Sequence, residues 1–302
     1  MYKSNVNFNL YKTFYDVAKY GSISEAAKNT FTSQPALSKS IKKLEEELKT
    51  KLFYKTPKGT KLTEKGKELL FYIESAYNSL ITAERSMLET ESLEKGKLSI
   101  GVPSQIGTFY IFDNIAKFHK QYPNIEITLV TGGTSSLITL LKSHEIDFII
   151  DSSPIETDSN DIIIKPLTEV NNCFFYKNNT SLKDIEKIKS IKDLTNHPLV
   201  LPIKGTDNRN RLDYIFKTNN TVANNVINIH TSEMIIGAVK QDLGIGYTIY
   251  DLVKYDIDNL DLKILNLKEK LPSITINLVY IKKYLTTAPL KFIQQYIDPN
   301  IK

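Results

Sequence analysis

The feature that most constrains this 302-residue chain is a proline-free stretch from Thr63 to about Leu93, with one early glycine, Gly66. Within it Leu70, Ile73, Tyr77, Leu80, Glu84 and Met87 step by 3, 4, 3, 4 and 3, which lays them along one stripe of a helix. Thr63 is placed to cap that helix. Its seam is apolar apart from Glu84, and the sequence offers no neighbouring helix to cover it. The spacing predicts pairing with the same helix of a second copy through Leu70, Ile73, Tyr77, Leu80 and Met87; packing on its own chain is the alternative. Such a helix also separates a short N-terminal part from a long C-terminal one.

In the short part, Phe8, Leu10, Tyr11, Phe14, Val17 and Ala18 fall on one side of a helix that Gly21 stops. Ser22 and Glu25 form an S-x-x-E capping box that opens a second helix through Ala26 and Ala27. Ser33 caps a third, with Pro35 in its first turn, where a missing N–H costs little. Leu37, Ile41, Leu44 and Leu48 make its inward stripe, while Gln34, Ser38, Lys39, Lys42 and Lys43 face the other way. Leu52–Lys55 and Thr60–Leu62 then flank Thr56-Pro57-Lys58-Gly59, a turn sequence that predicts a hairpin. Residues 1–62 hold twelve lysines against one aspartate and four glutamates, a charge of +7, although the whole chain carries only +5. Cations gathered this way suit a polyanion, since lysines that neutralise phosphates release condensed counterions. A solvated basic face would have the same composition.

Beyond Gly96, short apolar runs alternate with helical stretches: Leu98–Val102, Ile125–Val130, Phe148–Asp151, Cys173–Tyr176, Leu199–Pro202, Val226–His230, Ile245–Ile249, Leu260–Leu267 and Ile274–Ile281. Alternation of this kind predicts an α/β domain with mostly parallel strands, and some 200 residues suffice for two lobes. Small polar groups recur at strand ends: Pro103-Ser104-Gln105, Thr131–Ser135, Ile203–Thr206 and Thr231-Ser232. Helix N-termini there offer unpaired N–H groups to negative charge, although each hydroxyl taken alone is also an ordinary cap.

Several classes are disfavoured. The N-terminus lacks the apolar core of a signal peptide and no apolar run is long enough to span a membrane, so a cytoplasmic protein without a membrane partner is expected. Cys173 is the only cysteine and lies in an apolar run, which reads as a buried structural thiol. Gly66-Lys67 is followed by Glu68 and cannot be a phosphate loop, and Gly101-Val-Pro-Ser104 lacks nucleophile-elbow spacing. His119, His144, His197 and His230 stand apart, so no metal, cofactor or catalytic residue is expected.

Leu10-Tyr-Lys-Thr-Phe14, Val17-Ala18, Gly21-Ser22, Ala26-Ala27, Ser33-Gln34-Pro35-Ala36-Leu37-Ser38, Ile41, Leu44-Glu45, Leu48, Leu52-Phe53, Leu62-Thr63 and Gly66 closely resemble the N-terminal signature of LysR-type regulators. Leu98-Ser-Ile-Gly101, Phe118 to Pro123, Glu145-Ile-Asp147 and Leu243-Gly244-Ile-Gly246 resemble that family's effector domain, which is similar to a type-2 periplasmic binding protein. The resemblance implies a winged helix-turn-helix over 1–62, a dimerisation helix over 63–93 and an effector domain over 94–302. Its lobe I would span about 97–165 and 268–302, and lobe II about 166–267. It implies a ligand-controlled transcription factor that binds an interrupted inverted repeat in double-stranded DNA as a homodimer or a tetramer of two dimers, with RNA polymerase as a further partner. Gln34 and Ser38 would then meet base edges, Lys39, Lys42, Lys55, Lys58 and Lys61 would hold phosphates, and Ser33 and Pro35 would set the start of the recognition helix. Ser104, Gln105, Thr134, Lys204, Thr206 and Tyr247 would line or adjoin the cleft for a small, polar or anionic effector. A solute-binding or enzymatic domain fused to a helix-turn-helix, and a DNA-binding repressor without a ligand, stay open.

Three positions depart from the family pattern. Thr30 replaces a usual leucine, which would move packing onto Phe31. Lys49 replaces a helix-ending glycine with φ > 0, a conformation that costs another residue about 1 kcal/mol or more. Lys55 replaces an arginine, giving a point charge where a bidentate fork is usual.

Overall fold

The structure is a computed structural model that describes residues 6–57, 59–88, 93, 95–152 and 154–301. The chain divides into two compact units, Met1–Glu89 with Thr139–Ile146, and Thr90–Ile138 with Asp147–Lys302.

The first unit runs α1 (Phe8–Tyr20), α2 (Ile23–Asn29), α3 (Gln34–Leu48), β1 (Phe53–Thr56), β2 (Gly59–Leu62) and α4 (Glu64–Leu88). Leu10, Phe14, Val17, Ala26, Leu37, Ile41, Leu44 and Leu52 form its core. Helix ends follow the sequence: Gly21 closes α1 in the left-handed conformation, and Ser22 Oγ accepts the Glu25 N–H at the start of α2. The reciprocal half of the expected capping box is replaced, because Glu25 Oε1 takes Lys28 Nζ at 2.9 Å. Phe31 corrects an expectation as well: it sits at φ 52° and is 99% exposed, so it takes over no packing, and Thr30 turns its hydroxyl back onto the Ala26 carbonyl. Lys49 does adopt the glycine-like conformation, φ 52°, ψ 35°.

The wing is seated by two close approaches that only glycine permits. A Cβ on Gly59 would come within 2.7 Å of the Gly21 carbonyl oxygen, and one on Gly66 within 2.2 Å of the Leu52 carbonyl oxygen. Thr60 donates its N–H to the Gly21 oxygen at 3.0 Å, tying β2 to the turn between α1 and α2. In α4, Leu70 and Ile73 are half-buried against the helix-turn-helix core, and Tyr77 stacks on Tyr15 with ring centroids 5.1 Å apart. Leu80 and Met87, by contrast, are exposed, as are Phe71, Tyr72 and Ile81. Residues 89–92 of the expected long helix lie outside the described residues.

The second unit is a mixed α/β domain. Its strands are β3 (Gly96–Gly101), β4 (Ile125–Val130), β5 (Phe148–Ser152), β6 (Ile163–Lys177), β7 (Leu199–Pro202), β8 (Val226–Ile229), β9 (Ile245–Ile249), β10 (Leu262–Leu265) and β11 (Ser273–Tyr280). Its helices are α5 (Ser104–Ile106), α6 (Phe112–Gln121), α7 (Thr134–Lys142, whose last residues fall in the first unit), α8 (Ile191–Leu194), α9 (Asp207–Thr218), α10 (Ser232–Lys240), α11 (Tyr250–Asp258) and α12 (Thr287–Tyr296). The strand order is β4-β3-β5-β11-β6-β9-β7-β8, with β10 on β6. The expectation of mostly parallel strands needs correction. Parallel pairing holds within β4-β3-β5 and β8-β7-β9, but β6, β10 and β11 pair antiparallel. The cause is β6, far longer than its apolar run Cys173–Tyr176, which crosses between the lobes. Asn171 still pairs with Ser273 of β11, and the next residue, Asn172, pairs with Ile249 of β9. Separate apolar cores lie on the two sides of that switch, one around Phe118, Phe148 and Phe292 and one around Phe174, Leu212 and Tyr247.

Candidate DNA-binding and ligand-binding sites

α3 presents Ser33, Gln34, Pro35, Ser38, Lys39 and Lys42 to solvent. Ser33 is the N-cap and accepts the Ala36 N–H, Pro35 stands in the first turn, and Gln34, Ser38 and Lys42 recur every four residues along one stripe. Lys42 and Lys43 lie 3.9 and 3.8 Å from Glu46 and Glu47 on the exposed helix surface, contacts that water screens strongly. The helix is held from behind by a residue whose function the sequence reading missed. Glu45 is buried, and its Oε1 accepts the Leu52 and Phe53 N–H groups at 2.9 and 3.2 Å while Oε2 meets Lys51 Nζ at 2.6 Å. Burial pushes its carboxyl up, but Lys51 and the two amides outweigh that and hold it below the usual carboxylate range. One side chain thereby fixes the angle between α3 and β1. Lys55 and Lys61 are both exposed, but Lys55 pairs across the hairpin with Thr60 and Lys61 with Tyr54, which puts the two lysines on opposite faces of the wing. Lys58 lies outside the described residues.

In the second unit, Ser104 is exposed and Gln105 half-buried in the turn after β3. Thr134, first residue of α7, donates its hydroxyl to Asp151 Oδ2 at 2.8 Å. Asp151, next to last in β5, is almost wholly buried, and its Oδ1 accepts the Ser152 N–H. Burial pushes its carboxyl up, the Thr134 and Ser152 bonds oppose this, and Asp207 adds to the upward push. The readable signal was an acid closing the apolar run Phe148-Ile-Ile. Thr206 is the N-cap of α9, accepting the Arg209 N–H and donating to the Ile203 carbonyl, so capping engages its hydroxyl. Lys204 is exposed and lines a groove with Arg209, Lys217 and Asn228 on lobe II. Tyr247 corrects its expected place at the cleft surface: it is fully buried against Phe174, because β9 runs through the centre of lobe II, and its hydroxyl has no hydrogen-bond partner among the described residues. A cavity of about 490 Å³ opens between Pro154 of lobe I and α9 of lobe II, lined further by Asp207, Arg211, Lys270 and Pro272. Cys173 is buried with its thiol pushed up to about 12, mainly by desolvation, which leaves it unreactive. Among the described residues no group of His, Cys, Asp or Glu is placed to hold a metal ion, and no helix is long and apolar enough to cross a membrane.

A winged helix-turn-helix and a two-lobed α/β domain with a charged cavity at its lobe junction define a DNA-binding regulator governed by a small ligand. A profile described as bacterial regulatory helix-turn-helix protein, lysR family, matches residues 8–67, and one described as LysR substrate binding domain matches residues 91–298. The chain belongs to the LysR family of transcriptional regulators. The HTH-type transcriptional regulator YofA of Bacillus velezensis is 26% identical over 278 residues, which cover 92% of this chain and 93% of that one. CzcR of Bacillus subtilis, another HTH-type transcriptional regulator, is 30% identical over 237 residues, covering 77% of this chain and 76% of its own. Among solved structures, a full-length OxyR variant from Pseudomonas aeruginosa shares the fold with a TM-score of 0.71 at 18% identity, covering 97% of this chain and 96% of that one.

Proposed function

We propose that this regulator reads double-stranded DNA with the exposed stripe of α3, in the cytoplasm and without catalysing a reaction. Gln34 and Ser38 contact base edges, while Lys39, Lys42 and the wing lysines Lys55, Lys58 and Lys61 hold phosphates. The carrying observation is the stripe itself: polar, basic, wholly exposed and backed by the saturated Glu45. Two copies pair through the part of α4 that its own chain leaves open, Leu80 and Met87 with Tyr72 at the edge of their stripe. Leu70, Ile73 and Tyr77 serve the same chain and frame that seam. A pair of dimers on an interrupted inverted repeat is the resulting assembly, and a ligand between the lobes of the second unit sets its activity.

Fluorescence anisotropy with a DNA duplex at two salt concentrations tests this reading. Lys39→Glu with Lys42→Glu should weaken binding to every sequence and flatten the salt dependence by about two phosphate contacts. Equal affinity and an unchanged salt slope in the double variant would refute it. Leu80→Asp should release monomers in light scattering, and dimers that persist would place the interface elsewhere.

A further inference from the structure

The cavity beside α9 is distinguished by charges that find no partner in the chain. Asp207 and Lys270, both exposed, and the half-buried Arg211 all line it, and among the described residues none of the three is ion-paired or hydrogen-bonded through its side chain. On the same helix, Arg209 shows what a satisfied charge looks like: its Nε donates to Asp213 at 2.7 Å and its Nη1 to the Pro202 carbonyl and Asn228 Oδ1 at 2.8 and 2.7 Å. A volume of about 490 Å³ lies within the span of small-molecule sites, which runs from about 300 to 1,000 Å³.

Buried oxygens without a partner occur on the strands and the helix around the cavity, though not among its lining residues. Asn172 is 4% exposed, its amide nitrogen donates to the carbonyl of Pro272 in the cavity wall, and its Oδ1 has no partner. Tyr247 Oη is likewise buried and unpaired, and it lies within electrostatic reach of Arg211. Because Asn172 pairs with Ile249 and Phe174 with Tyr247, Asn172 and Tyr247 project from one face of the sheet, the face that α9 covers with Leu212 and Phe216. Asn208 Oδ1, in the first turn of α9, is a third buried oxygen without a partner. Natural proteins leave few such groups unsatisfied, and each asks for a partner.

We propose that this cavity takes a small zwitterion, an amino acid or a close analogue, whose ammonium group meets Asp207 while its carboxylate meets Arg211 and Lys270. The proposal rests on the ligand-controlled reading above and narrows the expected polar or anionic effector to one that bears both charges. An anion alone would face Asp207, with the buried Asp151 behind it, and a cation alone would face Arg211 and Lys270. A neutral ligand would take water from the three charges and pair none of them. Only a ligand bearing both signs matches the lining. Since Pro154 belongs to lobe I and α9 to lobe II, its occupant touches both lobes and favours one lobe arrangement over others.

Calorimetric titration of the full-length chain with the common amino acids one at a time, with succinate as dianion and putrescine as dication, tests this. At least one amino acid should bind. Its des-amino acid and its decarboxylated amine should each bind about tenfold or more weakly. Asp207→Asn and Arg211→Gln should each weaken the amino acid by a similar factor, Asp207→Asn removing the preference over the des-amino acid, while Lys217→Gln, outside the cavity, changes nothing. DNA binding by each variant shows that it is folded. Binding of succinate or putrescine but of no amino acid overturns the zwitterion and leaves the ligand-controlled reading standing. Binding of nothing in the panel also overturns it. An amino acid that binds both variants as tightly as the parent overturns the cavity assignment, and loss of DNA binding by the parent chain itself would count against the regulator reading alone.

Discussion

α3 and α9 are both hydroxyl-capped helices with charges along them, and they differ in where their unpaired charges stand. On α3 the buried charge, Glu45, is saturated by two backbone amides and Lys51, and the exposed charges point to water. On α9 the buried charge, Arg209, is saturated too, but the exposed Asp207 and the half-buried Arg211 stand unpaired at the rim of a cavity. Saturated charges hold the chain to itself, whereas unpaired ones await something from outside. Substitutions should therefore separate the two kinds by what they disturb.

The largest effect is expected at Glu45. Replacement by alanine strands the Leu52 and Phe53 amides and should cost about 3 kcal/mol in chemical denaturation, with DNA affinity falling alongside because α3 and the wing lose their fixed angle. Acid should act in the same direction. The depressed carboxyl of Glu45 contributes stability above the usual carboxylate range, and that contribution is lost as pH falls through its lowered value. An Ala variant with parental stability and parental acid sensitivity would break the comparison.

Arg209→Ala should come next, at about 2 kcal/mol, since Pro202 and Asn228 lose their buried donor. Asp207→Asn in the ligand-free protein should change stability by about 0.5 kcal/mol or less, the size of a helix-dipole contact. Comparable losses at the two positions would mean that Asp207 has a structural partner after all. Of opposite sign, Lys49→Gly should stabilise by about 1 kcal/mol or less, because glycine relieves the left-handed conformation at φ 52°. The smallest shift is expected of Asp151→Asn. The raised carboxyl of Asp151 favours folding while protonated, and this is lost as pH rises through its elevated value, so the amide should raise Tm slightly at neutral pH and not in acid.

The first unit was legible in the sequence because its signals are local. Caps at Ser22 and Ser33, the stop at Gly21 and the four-residue recurrence on α3 each act within a turn of helix. Phe31 was misread because its left-handed backbone conformation, not hydrophobicity, decides where it points. In the second unit the strand positions were readable but the crossing of β6 was not, since its first half has no apolar run and is held by pairing with β11, some hundred residues further on. The same distance hid the cavity: Pro154, Asp207, Arg211 and Lys270 belong to three separate segments and share no motif. Lys204 and Thr206 follow a recognisable strand end, yet one faces a different groove and the other caps α9.

The central claim is that the exposed stripe of α3 reads base sequence, and selection from a random DNA pool followed by affinity measurements on single-base variants tests it most directly. The parent chain should enrich an inverted repeat. Gln34→Ala should then relax the preference at one base pair in each half-site by about 1 to 3 kcal/mol while leaving the salt dependence as it was. Enrichment of no sequence by the parent, or an equal loss on every sequence in the variant, would contradict it.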